Sequence, residues 1–97
     1  MLFHKIDITE GLYEQAKLIL FGGSTIVAVQ NGQEIRKLKE AINKEGADKF
    51  PAICLKQMPR GHLAIKDGYH RIMAFYESGI KSHKAIIIKG EGDNLKA

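Results

Sequence analysis

Between Phe3 and Ile8 apolar and polar positions alternate loosely, with Phe3, Ile6 and Ile8 on the apolar side, which predicts a short strand. From Thr9 or Glu10 the period lengthens, and Leu12, Ala16 and Ile19 fall on one face of a helix that Phe21-Gly22-Gly23-Ser24 breaks. Thr25-Ile26-Val27-Ala28-Val29 is continuous and β-branched, and it predicts a buried strand. Asn31 then stands as an N-cap with Glu34 in the capping-box position. Behind it Ile35, Leu38 and Ile42 repeat at helical spacing against a polar face of Arg36, Lys37, Lys39, Glu40 and Lys44, up to the stop at Gly46. After Pro51, Ala52–Leu55 reads as a strand, Met58–Gly61 as a turn and His62–Lys66 as the return strand. Asp67-Gly68 leads into a helix over 69–78 that Gly79 closes, and Ala85–Ile88 is a final buried strand.

Strand, helix, strand, helix, strand, strand, helix, strand is the order of an α+β protein: a small mixed β-sheet with helices packed on it. The 97 residues form one domain, 1–97, with a polar and frayed tail over 90–97. Apolar residues at 44% and charged residues at 27% exclude a wholly disordered or collagen-like chain. No apolar run reaches the roughly 18 residues that a membrane span requires, and the N-terminus lacks a basic stretch leading into an apolar one. A single cysteine, Cys54, excludes an internal disulfide framework and fits a reducing, cytoplasmic setting. Within an apolar strand it reads as a buried structural thiol. Fifteen lysines and arginines against eleven acids give a net charge of +4, which favours polyanionic partners. Twelve of the fifteen are scattered lysines with no basic arm, so a solvated surface explains them as well as a nucleic-acid footprint does.

The segment Ile65-Lys66-Asp67-Gly68-Tyr69-His70-Arg71 carries the most chemistry, because it joins a strand directly to a helix N-terminus where free backbone N–H groups gather. His70 and Arg71 stand in the first helical turn, at the positive end of the helix dipole, where cations are unfavourable by a few tenths to about 1 kcal/mol. A bound anion turns the repulsion among the dipole, Arg71 and a protonatable His70 into a phosphate cradle, with Gly68 allowing close backbone approach, while Asp67 either caps the helix or helps to hold a divalent cation that bridges phosphates. The plain alternative makes Asp67 an ordinary N-cap and leaves Arg71 to solvent or to a pair with Asp67 or Glu77. His4, His62 and His83 have no metal-ligand spacing.

Pro51-Ala-Ile-Cys-Leu, then His62-Leu-Ala-Ile-Lys-Asp-Gly-Tyr-His-Arg-Ile-Met-Ala-Phe, then Gly79 and Ile86–Ile88 resemble the ParB/sulfiredoxin superfamily. In that family a strand ends in D-G-x-[HR]-R and runs into a helix with an Ala three residues on. Asp67-Gly68-Tyr69-His70-Arg71 and Ala74 match it, the helix 33–45 stands where the family has one, and the similarity covers about 27–89. The resemblance implies a ParB/sulfiredoxin-like fold and nucleotide binding: CTP in ParB-type partition proteins, ATP in sulfiredoxins, ADP or ATP in free-serine kinases. It implies Gly68, Tyr69, His70 and Arg71 as the phosphate site, Asp67 and His70 as the candidates for catalysis in phosphoryl transfer or nucleotide hydrolysis, and Mg2+ with the nucleotide.

The departures narrow this. Sulfiredoxins carry their catalytic Cys where Tyr69 stands, so sulfinic-acid reduction is set aside. The helix-turn-helix domain and second basic motif of partition proteins are missing from these 97 residues. A serine kinase needs a carboxylate base, for which Glu10 and Glu14 are the nearby candidates. Two other readings remain open: a DNA-binding or ParB-like nuclease accessory protein of a phage or plasmid, and a non-catalytic interaction or inhibitor protein on the same fold.

Overall fold

The computed structural model describes residues 2–89. Eight elements follow in chain order: β1 (His4–Asp7), α1 (Glu10–Phe21), α2 (Thr25–Glu45), a short 3-10 turn (Ala47–Lys49), β2 (Ile53–Gln57), β3 (Leu63–Asp67), α3 (Tyr69–Glu77) and β4 (Ser82–Lys89). The protein is α+β, with three helices and a mixed four-stranded sheet in the order β1-β4-β2-β3 among the described residues. β4 lies between β1 and β2, antiparallel to the first and parallel to the second, while β2 and β3 run antiparallel through the Met58–Gly61 turn. Among the described residues no helix is long and apolar enough to cross a membrane. The expected tail, 90–97, lies outside the described residues.

The alternation of each strand explains the layering. Ile53 and Leu55 of β2, Ile65 of β3, and His83 and Ala85 of β4 are buried beneath the helices. Their neighbours on the opposite face, Cys54, Lys56, Ala64, Lys84 and Ile86, are not buried, so that face is open to solvent. Cys54 is accordingly half-buried rather than enclosed. β4 begins at Ser82, three residues before the apolar run, and Ile88 is exposed; the run Ile86–Ile88 is thus not buried throughout, because helices cover only one side of the sheet. Ile72, Met73, Ala74 and Phe75 fill the centre from α3, with the Phe75 ring 4.4 Å from that of His83 and 6.1 Å from that of Phe50.

The helices differ from the sequence expectation in two places. In α1 the buried positions are Leu12, Ala16 and Leu20, an i, i+4, i+8 stripe, whereas Ile19 is turned to solvent. Thr25–Val29 is not a strand but the start of α2, which runs unbroken for 21 residues. A continuous β-branched run has no period of its own. Ser24 decides it locally: its Oγ accepts from the Val27 N–H at 3.3 Å and caps the helix seven residues before Asn31. The cost of Ile and Val in a helix, about 0.5 kcal/mol each, is too small to stop the helix from propagating back from Ile35. On the outer surface Glu77 of α3 joins the other two helices: Tyr13 donates to its Oε2 at 2.7 Å and Lys39 to its Oε1 at 3.1 Å. Tyr13 also stacks on Tyr76, with ring centroids 4.5 Å apart.

Candidate functional site

β3 ends at Asp67, and a single residue, Gly68, turns the chain into α3. Gly68 has φ 105° and ψ 25°, a left-handed conformation open chiefly to glycine. It also lies so close to β2 that a Cβ would stand 2.8 Å from Ile53 Cγ2. The turn is therefore pressed onto the sheet, and α3 starts from a fixed point.

The three helices start differently. Thr9 Oγ1 caps α1 and Ser24 Oγ caps α2, but α3 has Gly68 at its cap position and no side-chain cap. Asp67, the cap in the plain reading of the sequence, does not fill that role. The first helical bond of α3 is Ile72 N–H to Gly68 O, which leaves the N–H groups of Tyr69, His70 and Arg71 without a helical acceptor.

The side chains of this turn are all engaged. Arg71 Nη1 donates to the carbonyls of Pro51 (3.0 Å) and Ala52 (3.2 Å), and Nη2 to Asp67 Oδ2 (3.4 Å). Arg71 thereby ties α3 to the start of β2. The same Pro51 carbonyl accepts from His83 Nε2 at 3.0 Å. The Asp67–Arg71 pair joins a side chain 77% exposed to one 17% exposed, and such a pair is worth at most about 1 kcal/mol. Three of the five guanidinium donors have acceptors among the described residues; Nε–H and one Nη2 proton are the other two.

His70 is held by a residue that the sequence suggested only as a helix cap. Asn31 Nδ2 donates to Leu20 O at 2.7 Å, which fixes the amide so that Oδ1 faces His70 Nε2 at 2.8 Å. Nε2 therefore carries the proton and Nδ1 is the free nitrogen. Asn31 thus links α1, α2 and α3. Tyr69 and Gln15 form a second group: the Tyr69 hydroxyl donates to Ile65 O at 3.0 Å, Gln15 Nε2 donates to Leu63 O at 3.1 Å, and Ile65 N–H donates to Gln15 Oε1 at 3.3 Å.

The turn thus brings Asp67, Gly68, Tyr69, His70 and Arg71 to one strand-to-helix junction, but Asp67 and His70 have different partners and no hydrogen bond joins them. Among the described residues no group of three or more His, Cys, Asp or Glu side chains is placed to hold a metal. Asp67 is a lone carboxylate in this turn, so a Mg2+ there would take most of its ligands from a nucleotide's phosphates and water. Glu10 and Glu14 sit exposed on α1. Asn31, Gln15 and the Pro51 and Ala52 carbonyls are the parts sequence reasoning missed. The backbone carbonyls have no side-chain signature, and Asn31 and Gln15 act over separations of 39 and 48–50 residues. Comparison of the chain with protein-family models, with curated proteins and with solved structures gives no match.

Proposed function

We propose that the protein is a nucleotide-binding domain that holds phosphate at the start of α3, in line with the ParB/sulfiredoxin-like motif over residues 67–71. The observation that carries this is the pairing of an uncapped helix N-terminus with the Arg71 guanidinium and the His70 imidazole in the same first turn: the N–H groups of residues 69–71 lack helical acceptors, and Arg71 brings a fixed positive charge to that turn. That arrangement favours an anion and disfavours water alone. Arg71 has Nε–H and one Nη2 proton to offer, while His70, whose Nε2–H is given to Asn31, donates to a phosphate only when Nδ1 is protonated as well. The braces to Pro51, Ala52 and Asn31 hold both side chains in place before a ligand arrives, which lowers the ordering cost of binding. Binding, rather than phosphoryl transfer or hydrolysis through Asp67 and His70, is the part of this reading that the geometry supports.

The test is a 1H–15N titration of the protein with ATP, ADP, CTP and inorganic phosphate, each with and without Mg2+. The amides of Tyr69, His70 and Arg71 are expected to move together and saturate for at least one nucleotide. A nucleotide at 100 times its Kd adds about 2.7 kcal/mol of stability, a rise in Tm of roughly 10–20 °C for a chain of this size. If none of the four ligands moves those three amides or the Tm, the reading is wrong. Release of inorganic phosphate from a saturating nucleotide measures hydrolysis separately.

A further inference from the structure

The tip of the α1–α2 hairpin is apolar, uncharged and uncovered. Leu18, Ile19, Ile26, Val27 and Val29 are between 47% and 73% exposed and lie within twelve residues of one another in the chain. From Leu18 to Gln33 there is no charged residue, in a chain where 27% of positions are charged.

The tip also projects. Asn31 is tied to Leu20 O, and Gly32 faces the Phe21 ring, so the end of α1 lies beside residues 31–32 of α2. Residues 25–30 therefore run on past the end of α1 by about 9 Å at helical rise. Ile26 is half a turn away in phase from Ile35, and Val29 is well removed from Ile42, so neither reaches the core that those two residues enter. In this segment, four of the first five residues are β-branched and poor helix formers, none is buried, and the Ser24 hydroxyl is the local support.

We infer that this tip is the contact surface of a two-fold homodimer, in which the projecting turns of two α2 helices cross and cover each other together with Leu18 and Ile19. Three observations favour a second copy over other occupants. The five side chains are 47–73% exposed, so complete mutual coverage would remove roughly 600 Å² per copy, at most about 1,200 Å² in total, which reaches the lower edge of specific interfaces. The tip meets itself without repulsion even though each chain carries +4, because the charges lie elsewhere. Its flanks mix signs (Glu14 with Lys17, Glu34 with Arg36), so there is no basic collar to suit an anionic bilayer or a nucleic acid.

Sedimentation velocity over micromolar to millimolar concentrations tests this, with vesicle flotation on anionic liposomes as a second arm. The expected result is a monomer–dimer equilibrium with Kd in the micromolar range, as the small area implies, and no flotation. Ile26→Lys and Val29→Lys remain monomeric throughout the range. Both positions are solvent-exposed and Lys is a better helix former than Ile or Val, so the fold is retained, which far-UV circular dichroism checks. A wild type that stays monomeric at millimolar concentration overturns the inference. So does a dimer that both lysine variants form equally well, and so does flotation abolished by Ile26→Lys, which would assign the tip to a membrane.

Discussion

Gly68→Ala separates two costs that the structure makes distinct. The residue has φ 105°, where an alanine is strained by roughly 1–2 kcal/mol. Its new methyl would also meet Ile53 Cγ2 at 2.8 Å and Cβ at 3.2 Å. Ile53 is fully buried, so it cannot swing away, and overpacking of this kind costs about 1–3 kcal/mol. The total is about 2–5 kcal/mol, a large share of the 5–15 kcal/mol that stabilises a typical domain. Gly61→Ala is the matched control: φ is 88°, but nothing lies within 4 Å of the added methyl, so it carries the strain alone. Urea unfolding followed by circular dichroism is the assay, with the slope m unchanged between variants so that the midpoint reports stability. Gly68→Ala is expected to lower the midpoint well beyond Gly61→Ala. Equal midpoints would refute the argument that the turn is pressed onto β2.

Two further outcomes follow from the helix contacts. Asn31→Ala removes the acceptor of His70 and the donor to Leu20 O together, and leaving those groups unpaired lowers unfolding stability by about 1–3 kcal/mol, measured by the same urea series. The hydrogen bond from Tyr13 to Glu77, followed by partial burial and the Glu77 charge, raises the Tyr13 hydroxyl from 10.0 to about 12. A raised folded-state value means that this stabilisation is complete below pH 10 and disappears as pH climbs towards 12. Absorbance titration is expected to resolve one tyrosine ionising near pH 12, and Tyr13→Phe to remove both that step and its part of the alkaline loss of stability.

The junction from β3 to α3 was readable because glycines and an acid–glycine step punctuate it, and the helix that follows carries a compact apolar centre from Ile72 to Phe75. The start of α2 was not readable, since Thr25–Val29 has no period and its state depends on one hydroxyl at Ser24. The candidate site was half legible. Residues 67–71 stand together in the chain, but what orients them comes from Asn31, Pro51 and Ala52, through a side-chain amide and two backbone carbonyls whose roles exist only after folding.

The group formed by Gln15 and Tyr69 also determines how the sheet ends. β3 is an edge strand, and an edge with open backbone groups is a template for another strand. Here Leu63 O, Ile65 N–H and Ile65 O are taken by two side chains that act as a short surrogate strand. Strand addition along β3 would first have to displace both, so any growth of this sheet, whether by swapping or by fibril formation, is directed to the β1 side.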